Sequence, residues 1–281
     1  MGTPALPGHD DVRAYYDEFL RYRMTSYRID GNPRIEAAIS RILPLLRDTD
    51  RVLDVGCGIG IVSERLARRV TAGKVLGIDI SPMNIWYAER TTRAGNLSFA
   101  SHEAVNELDA ASRELGGPAD VVVLVDSIEH IPEADRPGFL RGLRGVSSDS
   151  ALLVITYPSP QYQRYLRENN PGELQVIDNS IELPTLVEEA ASAGYLLRHY
   201  SLEYIWRPGD YCHVILQAGG SDCSRPLSPK RKSMLVRAVR KAESVLLSRI
   251  IRRYRQWRYV DRVFRRIRDH RSGEGSIAEA S

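Results

Sequence analysis

Short apolar runs alternate along the chain with segments whose apolar residues recur at helical spacing. The runs predict strands over 51–55, 74–79, 97–100, 119–125, 151–157, 196–205 and 211–218. The other segments predict helices over 11–29, 34–46, 60–69, 82–94, 103–115, 134–146 and 183–193. Such alternation is typical of a parallel sheet with helices on both faces. The turn signal Arg207-Pro208-Gly209-Asp210 predicts that the last two strands pair as a hairpin.

Composition indicates what kind of protein carries this predicted α/β fold. The 281 residues include 43% hydrophobic residues, an ordinary share for a folded protein. Three cysteines without metal-ligand spacing favour a reducing cytoplasm. No N-terminal signal pattern is present, and the apolar run from Val121 to Val125 is far too short to span a membrane.

Charge is distributed unevenly along the chain. Residues 225–281 hold 17 Lys and Arg against 5 Asp and Glu, which leaves 22 basic and 31 acidic residues in 1–224. Apolar residues recur at helical spacing through 228–270, so this segment predicts a basic amphipathic helix. It is expected to contact the enzyme body or a second copy of the chain, or to lie peripherally on a membrane. A polyanion such as nucleic acid is the less favoured partner.

The most informative motif joins the first strand to the following helix. Gly56, Gly58 and Gly60 alternate in the connecting loop, where they permit sharp turns and close approach of a ligand to the backbone. Ile61 stands where the dinucleotide fingerprint requires its third glycine, and Asp54 lies at the strand end. Asp79 ends the second strand, where an acid can bind both ribose hydroxyls.

With these motifs the chain resembles the class I S-adenosylmethionine-dependent methyltransferases. The matching segments are VLDVGCGIG (52–60), VLGIDIS (75–81), ADVVVLVDSIEHIP (119–132) and ALLVITYP (151–158). The resemblance implies a Rossmann-like, doubly wound, seven-stranded, mostly parallel sheet of order 3-2-1-4-5-7-6. The resemblance covers roughly residues 35–218. Together with the helical pattern before it and the basic segment after it, this divides the chain into an N-terminal helical cap over 1–33, the cofactor-binding domain over 34–220 and the helical tail over 225–272.

The resemblance implies a set of cofactor-binding residues. Asp54 would meet the ammonium group of S-adenosylmethionine, the loop Gly56-Cys57-Gly58 with Gly60 would pass under its amino acid and ribose, and Asp79 would hold the ribose hydroxyls. Ile80 and Met83 would enclose the adenine. His102 stands where aspartate is common, so His102 or Glu103 would meet the adenine amino group. Asp126 is expected near the methionine end, with a turn-capping role as its alternative.

His130 is the candidate general base, because it follows the fourth strand and has an ordinary pKa near neutrality. The alternative is that His130 only shapes its loop. Glu129 is expected to bind near the cofactor or to cap the loop. The acidic triad of catechol-type methyltransferases is absent from the sequence, so no metal is expected.

Tyrosines gather where this fold places its acceptor, and each combines an apolar face with a polar tip. The candidate acceptor-binding residues are Tyr16, Tyr22, Tyr27, Tyr157, Tyr162, Asp178, Trp206 and Tyr211. Packing is the alternative role for each aromatic residue, and helix capping is the alternative for Asp178.

The sequence thus predicts an enzyme that methylates a hydroxyl group of a sugar-containing or other small metabolite. The alternatives are C- or N-methylation, including that of a prenyl diphosphate held by Arg28, Arg34 or arginines of the tail, and a catalytically idle cofactor-binding protein recruited through its tail.

Overall fold

The structure, a computed structural model, describes residues 27–28, 31–174 and 177–219. Its strands are β1 Arg51–Val55, β2 Lys74–Asp79, β3 Leu97–Ser101, β4 Ala119–Val125, β5 Ser147–Pro158, β6 Tyr195–Tyr204 and β7 Pro208–Ala218. Its α-helices are α1 Pro33–Ile42, α2 Ile61–Ala67, α3 Pro82–Thr91, α4 Leu108–Leu115, α5 Arg136–Gly145, α6 Pro160–Asn169 and α7 Leu183–Ser192. Single 3₁₀ turns lie at Leu43–Leu45, Ile128–His130 and Pro171–Glu173.

The strands form one seven-stranded sheet in the order β3-β2-β1-β4-β5-β7-β6. Strands β1 to β5 pair in parallel, whereas β7 pairs antiparallel with both β5 and β6. The predicted Rossmann-like order and the predicted β6–β7 hairpin are therefore confirmed.

The central strands are apolar throughout because both faces of the sheet are covered. In β4, Val122 and Leu124 pack into one core with helices α4, α5 and α7. Val121 and Val123 face the opposite core, which includes α1 and α2. A strand buried on both faces reads as a continuous apolar run, and 119–125 shows this pattern.

The topology places a crevice at the carboxyl ends of β1 and β4. The chain proceeds from β1 toward β3 on one side of the sheet, and from β4 toward β5 on the other. Loops at such a reversal diverge and leave room for a ligand between them. Asp54 near the end of β1 and Asp126 just after β4 both lie at this point.

The predicted elements differ from the structure mainly at loop-helix junctions. The helix predicted over 103–115 begins only at Leu108, because the Glu107 carboxylate accepts the Glu103 backbone N–H in a preceding turn, 2.7 Å away. Helix α6 was not predicted. Its signal was Ser159, whose hydroxyl accepts the Tyr162 backbone N–H at 3.2 Å, followed by Pro160 at the first helical position.

Several predictions lie outside the described residues. These are most of the cap over 1–33, with Tyr16 and Tyr22, and the whole basic tail over 225–272. Within the described ranges, no helix has the length and apolar character needed to cross a membrane.

Candidate active site

A cavity of about 480 Å³ opens at the carboxyl ends of β1, β2 and β4. It falls in the size range of small-molecule and cofactor sites. The predicted site residues that line it are Tyr27, Asp54, Gly56, Cys57, Gly58, Asp79, Ile80, His102, Glu103, Asp126 and His130. Segments far apart in the sequence thus meet in one cavity.

The glycine loop forms one wall of the cavity, and two of its glycines have no room for a side chain. Gly56 has a φ of 72°, and an added Cβ would lie 2.3 Å from the Ser127 Oγ. Gly60 has a φ of 73° and begins α2, and its Cβ would lie 2.6 Å from the Phe99 ring. The loop therefore requires glycine both for its left-handed backbone and for its close packing.

The Asp79 carboxylate organises the loop from the end of β2. One oxygen accepts the Gly58 backbone N–H at 2.8 Å. The other accepts the Ser81 backbone N–H at 2.9 Å and the Asn84 amide at 3.0 Å. Asp79 is thus held rigidly while it lines the cavity.

Asp54 lies beneath the loop with 1% of its surface exposed. The Ser63 hydroxyl donates to its carboxylate at 2.5 Å. Burial raises the pKa of Asp54 to about 7, and the nearby Asp79 charge adds to the shift. The carboxyl group is therefore poised between its neutral and charged forms in a site where an ammonium group would favour the charged form.

Cys57 is a packing residue of the loop. Its side chain is buried, and burial raises the pKa of the thiol well above its ordinary value. A protonated, enclosed thiol is a poor nucleophile.

At the far end of the cavity, His102 is tied to helix α4. Its Nε2 lies 2.9 Å from a carboxylate oxygen of Glu114. Ile80 lines the cavity beside it, whereas Met83 lies outside the lining with 39% of its surface exposed. The adenine contact predicted for Met83 therefore has no support, because α3 turns this side chain outward.

Asn84, the residue that follows Met83 in α3, was missed in the sequence analysis. This side chain is 1% exposed and lines the cavity. Its amide donates to Asp79, and its Oδ1 has no hydrogen-bond partner among the described residues. An acceptor atom buried in a cavity wall indicates a ligand donor group. The capping motif Ser81-Pro82, which starts α3, was the available signal.

Asp126 marks the opposite end of the cavity and has a left-handed backbone with a φ of 53°. Its carboxylate forms an ion pair with the guanidinium of Arg34 on α1. Burial raises the pKa of Asp126, and the charge of Arg34 opposes that shift. Arg34 also lines the cavity, and its guanidinium lies 5.8 Å from the centre of the Tyr27 ring.

His130 ends the 3₁₀ turn that follows β4, and it lines the same cavity. Its Nδ1 lies 2.5 Å from the Ile177 carbonyl oxygen. Because a carbonyl only accepts hydrogen bonds, Nδ1 carries the proton and Nε2 carries the lone pair. Burial lowers the pKa of His130, against the opposing effect of Asp178. The imidazole is therefore neutral near pH 7 and is basic at Nε2.

Glu129 lies outside the cavity lining and is 2% exposed. Burial raises the pKa of its carboxyl group well above the ordinary value, and the charge of Asp126 adds to the shift. These features do not support the predicted contact of Glu129 with the cofactor. The backbone carbonyl of Glu129 accepts two hydrogen bonds from Asn179, at 2.9 and 3.1 Å, so the loop is held through its main chain.

The predicted acceptor residues differ in where they lie, and among those that the structure describes Tyr27 lines the cavity. Tyr162, Trp206 and Tyr211 form a cluster outside the cavity with ring centres 5.9 to 6.1 Å apart. Tyr165 stacks on Tyr162 with ring centres 6.2 Å apart. Tyr157, by contrast, is fully buried in the hydrophobic core, because it faces inward from the central strand β5. An acceptor contact by Tyr157 therefore has no support.

The cavity suits S-adenosylmethionine in the chemistry of its lining. Asp54 offers a carboxylate to an ammonium group, and Asp79 and Asn84 offer acceptor atoms to ribose hydroxyls. Gly56 and Gly58 of the glycine loop line the cavity, so the ligand would meet backbone there rather than side chains. Across the described residues, the cavity included, no three His, Cys, Asp or Glu side chains lie where they could hold a metal ion together.

Fold and site together define a class: Rossmann-like proteins that bind a nucleoside cofactor at the β1–β4 crevice. A methyltransferase-domain family matches residues 20–200. The chain belongs to this family, and its assignment to the class I S-adenosylmethionine-dependent methyltransferases is confirmed.

Individual relatives agree with this assignment. Ubiquinone biosynthesis O-methyltransferase of Methylocella silvestris is 33% identical over 137 residues, which are 49% of this chain and 48% of that protein. The chain thus matches about half of the length of this relative.

Solved structures share the fold. A SAM-dependent methyltransferase from Anabaena variabilis superposes with a TM-score of 0.63 at 13% identity, covering 78% of this chain and 98% of that one. Magnesium protoporphyrin IX methyltransferase from Synechocystis, crystallised with bound SAM, gives 0.56 at 17% identity and covers 78% and 100%.

Proposed function

We propose that the protein transfers a methyl group from S-adenosylmethionine to a hydroxyl group of a small acceptor. The observation that carries this proposal is the position of His130, which lines the cofactor cavity while its Nδ1 lies 2.5 Å from the Ile177 carbonyl oxygen. A carbonyl at this distance holds the ring proton at Nδ1. This arrangement supplies a base for a neutral nucleophile.

The cofactor end of the cavity is assigned to the glycine loop, Asp54, Asp79 and Asn84. When bound, S-adenosylmethionine supplies an activated methyl group on a sulfonium centre. Asp54 accepts hydrogen bonds from the ammonium end, and Asp79 with Asn84 accepts them from the ribose. Ile80 with His102 and Glu103 lines the remaining end, which is left for the adenine.

His130 performs the proton step. Its Nε2 accepts the proton of the acceptor hydroxyl as the oxygen attacks, and Nδ1 keeps its hydrogen bond to Ile177. The resulting imidazolium is stabilised by Asp178 and Asp126, the charges that raise the pKa of His130. General-base assistance of this kind contributes roughly 10²- to 10⁴-fold to a rate.

The acceptor is proposed to extend from the cavity onto the aromatic cluster of Tyr162, Tyr165, Trp206 and Tyr211. Tyrosine and tryptophan rings offer apolar faces with a polar group at the edge, so they can pack against an aromatic ring, an isoprenoid chain or a sugar. The match to ubiquinone biosynthesis O-methyltransferases favours a phenolic hydroxyl. A sugar-containing acceptor fits the same cluster and remains the second candidate.

Charges at the site disfavour the alternative of a prenyl diphosphate. Arg34 is paired with Asp126, and Arg28 pairs with Glu64 at 3.2 Å while it also donates to the Ile59 carbonyl. Binding a diphosphate there would require these contacts to be replaced. A neutral hydroxyl acceptor needs no such exchange.

A His130→Gln variant tests the proposal. We expect turnover to fall by roughly 10²-fold or more, because glutamine cannot accept the proton, while cofactor affinity stays near the wild-type value. S-adenosylhomocysteine release with a panel of phenolic and sugar acceptors measures turnover, and calorimetry measures affinity. Near-normal turnover by the variant would refute the base role, and a failure of the wild-type chain to bind S-adenosylmethionine would refute the function.

A further inference from the structure

The imidazole of His130 is held by residues 177–179. Only Asp178 in this segment is a predicted site residue, as a candidate for binding the acceptor, and Asp178 does not line the cavity. Asn179 donates its side-chain amide to the Glu129 carbonyl at 3.1 Å and to the Ile131 carbonyl at 2.9 Å. Its backbone N–H donates to the same Glu129 carbonyl at 2.9 Å. These bonds clamp the backbone on both sides of His130, while the Ile177 carbonyl binds the ring itself.

Helix α6 in turn fixes this segment. Gln163 is fully buried, and its amide donates to the Asp178 carboxylate at 3.1 Å. Arg167 reaches across with one guanidinium nitrogen, which lies 3.0 Å from the Gln163 side-chain oxygen and 2.9 Å from the Asp178 carbonyl. A buried amide whose donor and acceptor are both engaged has its orientation fixed.

We propose that Gln163 and Arg167 are positioning residues for the candidate base: through residues 177–179 they set the tautomer and orientation of the His130 imidazole. The inference rests on the proposed function, because it gives the tautomer its catalytic meaning. Gln163 is fully buried and neither residue lines the cavity, so their hydrogen bonds place them to act through the segment.

The tautomer matters because only one of the two neutral forms has its lone pair at Nε2. Loss of the carbonyl partner at Nδ1 would let the proton move to Nε2, its more common position in a neutral histidine side chain in water, and Nε2 could then no longer accept a proton. The charged groups that face His130 are Asp178 in the segment, Asp126 after β4 and Arg34 on α1. Asp178 raises the pKa of His130, so the segment also supports the basicity of the ring.

Nitrogen NMR of the ¹⁵N-histidine-labelled full chain tests the proposal without an acceptor. The signals of His130 are assigned by their loss in His130→Gln. In Gln163→Leu and Arg167→Ala we expect the ratio of Nδ1–H to Nε2–H forms to fall by about 2- to 12-fold, as for one lost hydrogen bond. Arg164→Ala, an exposed neighbour on the same helix, is the matched control and should keep the wild-type ratio.

A second measurement follows the charge. The Asp178→Asn variant should titrate His130 at lower pH than the wild type, because a negative charge is lost. A wild-type tautomer ratio in both α6 variants, or an unmoved His130 pKa in Asp178→Asn, would overturn the proposal. Arg167 is exposed, so its variant keeps the test valid if Gln163→Leu does not fold. The NMR spectra test only whether α6 and residues 177–179 set the tautomer of His130. The turnover of His130→Gln tests the proposed function.

Discussion

Asp54 shows at the scale of one residue how burial prepares a group for a ligand. Its carboxyl group lies under the glycine loop, and burial places its pKa at about 7, against an ordinary value of 3.8. Between these two values the folded chain binds more protons than the unfolded chain, so the contribution of Asp54 to stability falls as the pH rises through this window. A bound ammonium group would offset that cost by stabilising the charged form.

Cofactor affinity should therefore depend on pH through Asp54. We expect affinity for S-adenosylhomocysteine to fall by up to about tenfold for each pH unit below about 7, because the carboxyl group becomes neutral. Calorimetry across this range measures the effect. Asp54→Asn should bind weakly and lack this dependence, and methylthioadenosine, which has no ammonium group, is the matched ligand control. An equal pH dependence in Asp54→Asn would contradict the prediction.

At the scale of elements, the β6–β7 turn holds Trp206 of the aromatic cluster in place through one buried carboxylate. The Asp210 carboxylate accepts the backbone N–H groups of Ile205, Trp206 and Arg207 at 3.0, 2.7 and 2.9 Å. Asp210 is itself 2% exposed. The turn thus holds the backbone of Trp206, whose ring lies beside those of Tyr162 and Tyr211.

Replacing Asp210 should loosen this turn. We expect Asp210→Ala to lower the free energy of unfolding by about 1.5–3 kcal/mol, because three backbone donors lose a charged acceptor. Urea denaturation measures the loss. Asp149→Ala removes a carboxylate from a fully exposed position and should change stability by less than about 0.5 kcal/mol. Equal effects of the two variants would contradict the assigned role of the turn.

At the scale of the whole molecule, an ion pair joins two of the helices that cover one face of the sheet. Arg136 on α5 is 2% exposed and binds Glu189 on α7 through two hydrogen bonds of 2.6 and 2.8 Å. Its guanidinium is enclosed between elements that are far apart in sequence.

Removing one partner of this pair should be costly. We expect Glu189→Ala to lower the free energy of unfolding by about 3–5 kcal/mol, because the buried Arg136 charge loses its partner. The double variant Arg136→Met, Glu189→Leu should recover much of the loss, since no charge then remains buried. Thermal and urea unfolding of the set measure the coupling. A double variant as unstable as Glu189→Ala would argue against the pair as the cause.

Most of the sheet could be predicted because its signals are local. The apolar run 119–125 predicts a strand from its own residues, and the alternating glycines of the loop predict a turn from theirs. The placement of Tyr157 and Met83 was not predictable, since periodicity does not tell a core-facing residue from a cavity-facing one on a strand or helix end. Gln163 and Asn179 were missed because their role arises only where α6 meets the 177–179 segment.

The antiparallel strand β7 has a consequence for how the molecule forms. It is the last described strand in the chain, yet it lies between β5 and β6 rather than at an edge. As the polypeptide leaves the ribosome, β5 lacks its neighbour until residues 208–218 have emerged. The sheet is therefore completed late, by a strand inserted between β5 and β6. In a nascent chain that stops before Pro208, the edges of β5 and β6 that pair with β7 would be exposed to other proteins. A chaperone that covers unpaired strand edges would be needed most at that stage.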